Sequence, residues 1–150
     1  MSEEKTSTRL TGAQLMQLVA QEKQKAEELT QRINSFQSFK SELRAAKDAL
    51  SEIEKSKKGE KILVNLGAGI YVEASIEENT QAISSLSGKI FKTKKIKDLD
   101  KTIENKIKNL DKTIATVAEE QSKAVSRLNQ LESVIAAGRQ HMAEQAAKKN

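Results

Sequence analysis

The chain has 150 residues, room for one domain, of which 37% are hydrophobic but only 3% aromatic, thin material for a compact globule. Charged residues make up 31%, the net charge is +5, and Pro and Cys are both absent. The lack of Cys excludes disulfides and thiolate metal sites and points to a cytosolic setting; no apolar run approaches the roughly 20 residues that span a bilayer, and Met1 to Leu10 holds no apolar signal core.

The first expected element is a long helix over residues 11–57. Thr11 followed three residues later by Gln14 has the spacing of a capping box, in which each side chain satisfies the other residue's backbone N–H. A heptad then runs with a positions Leu15, Glu22, Leu29, Phe36, Leu43 and Leu50, and d positions Leu18, Lys25, Arg32, Phe39, Ala46 and Ile53. Ala26 and Ile33 lie one position outside that seam, and Phe36 and Phe39 are assigned to core packing. Ser56 to Gly59 supplies the stop, with Gly59 as the C-cap.

Residues 58–94 change period. Ile62, Val64 and Leu66 alternate, Gly67-Ala68-Gly69 turns, and Ile70, Val72, Ala74 and Ile76 alternate again, which is a β-hairpin signal. A second, weaker pair runs from Gln81 to Leu86 and from Lys89 to Thr93 across Ser87-Gly88. Hairpins without a covering layer expose strand edges, an aggregation hazard unless the edges are paired, so assembly through the sheet is expected. The glycines are turn glycines: a dinucleotide fingerprint needs Gly where Val72 stands, and Gly88-Lys89 is followed by Ile90 rather than by the Ser or Thr of a P-loop.

A second long helix is expected over 95–147, with d positions Ile96, Ile103, Leu110, Val117, Ala124, Leu131 and Gly138, and a positions Asp100, Ile107, Ile114, Gln121, Leu128, Ile135 and Met142. Folded back on the first helix, it pairs Leu50 with Ile103, Leu43 with Leu110, Phe36 with Val117 and Leu29 with Ala124, and sets Arg32 opposite Gln121 as a polar layer. The same register leaves Leu128 facing Lys25 and Leu131 facing Glu22, so the helix ends far from the hairpins lack apolar partners. Leu15, Met16, Leu18, Val19, Leu128, Leu131, Ile135 and Met142 are therefore candidates for contact with another protein, a use to which the flexible Met side chain is suited. The fold class is mainly α with a small β part, a long antiparallel two-helix coiled coil joined by two β-hairpins.

No catalytic chemistry is legible. His141 stands alone on a Gln- and Lys-rich helix end, and Glu119-Glu120 diverge on a helix surface, so no enzyme activity, metal or cofactor is expected. Lys89, Lys92, Lys94, Lys95 and Lys97 form the densest basic group, and with almost no aromatic residues for base stacking they read as solvated. The competing readings are a nucleic-acid-binding coiled-coil arm, whose affinity would fall steeply with salt, and a structural, filament-forming coiled coil.

With Leu63-Val64-Asn65-Leu66-Gly67-Ala68-Gly69-Ile70-Tyr71-Val72 at its first hairpin, the layout resembles the α-type subunit of prefoldin, whose first hairpin typically reads L-V-P-L-G-A-G. Asn65 stands where that family usually has Pro, and Ser87-Gly88-Lys89 is a less typical second turn. The resemblance implies an ATP-independent holdase of the cytosol, a hexamer of two α-type and four β-type subunits. Its hairpins would join in a β-barrel body, and its coiled-coil tips would capture non-native polypeptides for a group II chaperonin. Carried onto this sequence, Ile62, Val64, Leu66, Ile70, Val72, Ile76, Ile83, Leu86, Ile90 and Phe91 would build the body, and the Leu15 to Met142 set named above would meet clients.

Overall fold

The computed structural model describes residues 10–148. Its elements in chain order are α1 (Gly12–Lys55), β1 (Lys61–Gly67), β2 (Ile70–Ser75), β3 (Gln81–Ser87), β4 (Ile90–Lys95) and α2 (Ile96–Ala147). The chain is mainly helical with two small antiparallel hairpins, β1–β2 and β3–β4, each a separate two-stranded sheet, and no barrel closes among the described residues. Contacts divide it into two units, one comprising the chain up to Ser35 and from Ile114 onward, the other running from Phe36 to Thr113.

In the first unit, α1 opens on the capping box: Thr11 N donates to Gln14 Oε1 at 2.8 Å and Gln14 N to Thr11 Oγ1 at 3.3 Å. The two helix segments lie antiparallel, as Gln121 Nε2 donates to Thr30 Oγ1 at 2.8 Å while Arg127 approaches Glu22 at 3.8 Å. Ala26, Leu29, Val117 and Ala124 are buried. Leu15, Val19, Glu22 and Ile33 of α1 and Ile114, Gln121, Leu128, Leu131 and Ile135 of α2 are half-buried along the same seam. Full burial of a side chain such as Leu29 is worth about 1.5–3 kcal/mol, so the seam is where this unit gains its stability.

Two expectations about that seam are corrected. After Leu15 both Leu18 and Val19 are half-buried, but after Glu22 and Leu29 the seam residues are Ala26 and Ile33, four residues on rather than three, and Lys25 and Arg32 are exposed. Gln121 accordingly meets Thr30 and not Arg32, so the register is shifted. Ala26 takes the seam place assigned to Lys25, while Met16, Val134 and Met142 farther out stay exposed. Both spacings belong to an α-helical stripe, and the four-residue step is the one that brings small and aliphatic residues into the contact.

The second unit repeats this pattern with charges in the seam. Phe36, Lys40, Leu43, Lys47 and Leu50 are half-buried, while Phe39, expected in the core, is 46% exposed. Lys40 pairs with Asp111, and Lys47 Nζ lies 3.8 Å from Asp100 and 4.0 Å from Glu104. A lysine can lay its aliphatic stem along an apolar seam and deliver its ammonium to the rim. Lys40 can thus occupy the place that Phe39 would take on hydrophobicity alone.

The buried core of this unit is Ile76, Ile96 and Leu99, at the end of the first hairpin and the start of α2. The connections there are tied by backbone bonds. Gly59 N donates to Ile76 O at 2.7 Å, Ile76 N to Glu60 O at 2.9 Å, and Ile96 N to Thr80 O at 2.9 Å. Asn79 Nδ2 adds a bond to Ser56 O at 2.8 Å, capping a carbonyl beyond the end of α1.

Candidate functional site

Most of the exposed large apolar side chains among the described residues lie on the hairpins. In β1–β2 the register sets Ile62 against Ala74 and Val64 against Val72, with a bulge before Gly67 meets Ile70. The loop residues Ala68 and Gly69 both have positive φ, 51° and 76°, the backbone sense of the tight hairpin turn that follows strand twist. Gly67 N donates to Asn65 Oδ1 at 2.7 Å, so the residue standing in the usual proline position closes the turn with its own side chain. In β3–β4, Ser85 pairs with Phe91 and Ser87 with Ile90, again across a bulge, and Gly88 supplies the positive φ.

Ile62, Val64, Leu66, Ile70 and Val72 are exposed on the first hairpin, and Ile83, Leu86, Ile90 and Phe91 on the second, Ile83 to 73%. Ile76 does not belong with them. It lies beyond β2, is 6% exposed, and serves the core instead. Leu63 and Tyr71, which the sequence reading passed over, are exposed too. They fall on the other face from Ile62 and Val64, where they pair across the strands with Glu73 and Asn65, so two apolar side chains stand on an otherwise polar face. Two-stranded sheets of this length are marginal alone. The second gains some support from the helices, because Ala82, Ser84 and Lys94 are half-buried and a hollow of about 460 Å³ is lined by Ala46, Leu50, Ile53, Leu86, Leu99 and Ile103.

In the other unit, the residues named for partner contact separate into two groups. Leu15, Leu18, Val19, Leu128, Leu131 and Ile135 are half-buried, committed in part to the helix seam. Met16 and Met142 are exposed, Met142 to 73%. Val134, not singled out from the sequence, is 56% exposed and lines a hollow of about 290 Å³ with Leu18, Leu131, Glu22, Arg127 and Gln130. Glu22 Oε2 is buried there without a hydrogen-bond partner, while its other oxygen faces Arg127 at 3.8 Å.

Electrostatics add local order without a reactive group. Thr80 donates to Glu78 Oε1 from its hydroxyl at 2.6 Å and from its backbone N at 2.8 Å. These bonds, helped by Lys58, hold the Glu78 carboxyl below its ordinary range. The hydrogen bond from Lys123 to Glu119, with the charge behind it, acts in the same direction. Among the described residues no group of three or more His, Cys, Asp or Glu could hold a metal ion, and no helix is long and apolar enough to cross a membrane.

An arrangement of two long helices joined through two hairpins with exposed apolar side chains is that of the prefoldin subunits. The prefoldin subunit family model matches residues 23–141. A prefoldin subunit alpha from Thermofilum pendens is 28% identical over 112 residues, covering 75% of this chain and 87% of that protein. In structure the chain is similar to the filamentous PFD from Methanocaldococcus jannaschii, with a TM-score of 0.68 at 20% identity, covering 78% of this chain and 97% of the other. The chain belongs to the prefoldin subunit family, and so to the chaperone-type subunits.

Proposed function

We propose that the chain is the α-type subunit of an ATP-independent holdase, assembling through its hairpins and holding non-native polypeptides on the apolar residues of its first unit. The observation that carries the reading is the exposure of apolar side chains on both hairpins, Ile83, Leu86, Ile90 and Phe91 among them. Patches of that kind mark protein contact rather than open water. Other prefoldin subunits supply the cover, four β-type chains to two of this one, in the cytosol. Clients meet Met16, Val134 and Met142, with Leu15, Leu18, Val19, Leu128, Leu131 and Ile135 giving way at the seam, and pass to a group II chaperonin. Several weak contacts from one assembly then hold a client that no single one would retain.

The test is suppression of aggregation of a chemically denatured model protein, without nucleotide, by this chain assembled with a β-type subunit. Met16→Ser/Val134→Ser/Met142→Ser is expected to cut protection several-fold while sedimentation of the assembly is unchanged. Undiminished protection by that variant would place client capture elsewhere.

A further inference from the structure

We propose that the hollow between the second hairpin and the two helices is a binding site for a small anionic amphiphile, a molecule with an aliphatic body and a single carboxylate or phosphate head. The inference goes beyond subunit assembly and client holding and depends on neither. At about 460 Å³ the hollow falls in the size range of small-molecule sites. Small residues line it from both sides, Ala46 and Ala49 on α1 and Ala82 and Ser84 on β3, so the layers meet without filling the space. Protein interiors otherwise pack to the density of organic crystals. The rest of the wall is largely aliphatic: Leu99 is buried, and Leu50, Ile53 and Ile103 are half-buried.

The charge at this wall selects the ligand. Among the described residues three lysines are half-buried, Lys40, Lys47 and Lys94. Lys40 pairs with Asp111, and Lys47 reaches Asp100 and Glu104. The ammonium of Lys94 has no acceptor among the described residues. Lys94 stands opposite Ala82, and with Ser84 these residues form the half-buried face of the hairpin. A lysine stem lies along apolar surface while its ammonium stays at the rim, and a half-buried cation without an acceptor is an unmet demand. Lys106 also lines the hollow without a carboxylate partner, and no Asp or Glu lines it. An anionic head on Lys94 and Lys106, with an aliphatic body against Leu50, Leu99 and Ile103, meets both demands at once.

Other occupants meet only one of them. A neutral apolar molecule leaves the ammonium groups unanswered, and inorganic phosphate leaves the aliphatic wall wet. A nucleic-acid strand needs stacking rings, and no aromatic residue lines the hollow. A neighbouring trough of about 520 Å³ shares Lys94 and Thr102 with the hollow but is lined only by polar and charged residues, Lys92, Lys95 and Asp98 among them. It offers charge without an aliphatic wall, so the body of the ligand belongs in the hollow.

Ile83 and Leu86 line the hollow and also belong to the surface assigned to assembly, so the full chain is titrated alone. Isothermal calorimetry follows octanoate, octyl phosphate, octanol and acetate, each below its micelle concentration, and far-UV circular dichroism verifies that each variant folds. Octanoate or octyl phosphate is expected to bind about tenfold or more tighter than octanol, and acetate not measurably; the tighter of the two anions tells a fatty acid from a lipid phosphate. One further CH₂ on the chain is expected to raise affinity about fourfold. Lys94→Gln is expected to remove the preference for the charged head while keeping the affinity for octanol. Ala49→Phe, which adds a ring to the wall, is expected to weaken all three octyl compounds, and Phe91→Ser, outside the hollow, to change none. Equal affinity of the wild type for octanol and both anions overturns the site, as does a loss of binding in Phe91→Ser but not in Ala49→Phe, which would mean adsorption to the open hairpin. Absence of binding by either anion also overturns it. Lys94-dependent binding of an acidic, apolar peptide when neither anion binds overturns it in favour of a protein partner. Each of these outcomes leaves the assembly and holdase readings standing.

Discussion

In the helix seam of the first unit, Ala26, Leu29, Val117 and Ala124 are buried by residues of the same chain, whereas Ile83, Leu63 and Phe91 on the hairpins have comparable hydrophobicity and lie open. The two regions obey one rule with different outcomes. A helix stripe finds a second stripe within the chain, but a two-stranded sheet presents two faces and two edges, and the other described residues leave most of that apolar surface uncovered. Exposure on the hairpins is therefore a statement about missing neighbours, and burial in the seam a statement about self-sufficiency.

The largest effect should come from removing cover that the chain provides for itself. Leu29→Ala is expected to cost about 2–5 kcal/mol, the range for a buried Leu truncation, and to lower the thermal midpoint followed by circular dichroism. Ile83→Ser should leave the isolated chain's stability within about 0.5 kcal/mol while weakening co-assembly. Equal destabilisation by both substitutions would break the contrast. A smaller effect of opposite sign is expected at Glu22, where a buried carboxylate oxygen has no partner. Glu22→Leu should stabilise the chain by about 1 kcal/mol, since apolar residues commonly replace half-satisfied buried charges without loss; a loss of stability would show the Arg127 contact to matter more than the burial cost.

On the hairpin side, Ala68 holds a positive φ of 51°, a conformation that Asn adopts more readily than Ala. Ala68→Asn should raise stability by about 0.5–1 kcal/mol in chemical unfolding. The smallest effect concerns pH. Glu78 has its folded pKa lowered, so its contribution is present above the ordinary carboxylate value and is lost as pH falls through the folded value. Glu78→Gln should therefore lower stability slightly at neutral pH, with the difference from wild type vanishing on acidification, as urea titrations at each pH would show. A constant difference would mean that Thr80 bonds the amide as well as the carboxylate.

The hairpins were easy to read from the sequence because strand alternation and turn glycines are local signals. Ile62 to Leu66, Gly67-Ala68-Gly69 and Gly88 sit where their pattern put them. The helix seam was legible only by halves. On α2 one spacing fits most of the apolar residues from Ile96 to Ile135, Leu99, Val125 and Val134 lying outside it, and the buried positions Ile96, Val117 and Ala124 follow it. On α1 two spacings compete after each a position, and choosing by hydrophobicity favours Phe39 over Lys40. The winning alternative depends on Asp111, far away in sequence, which Lys40 reaches across the seam. A lysine whose stem is buried and whose charge is answered by another helix carries no mark of its place in the local sequence. Register inherited that error, which is why Gln121 was matched to Arg32 instead of Thr30. Among candidate residues, Val134 escaped because it lies off the heptad positions, and exposure off the seam has no periodic signature.

The separation of the strands into two unconnected sheets has a consequence for connectivity. A chain with one hairpin can join a ring of neighbours at a single place. With β1–β2 and β3–β4 each complete on its own, and only the Ile76 to Thr80 connector between them, this chain offers two separate apolar sheets, each open to a neighbour of its own. Counted as a graph, two separate sheets give a chain two points of attachment where one sheet gives one.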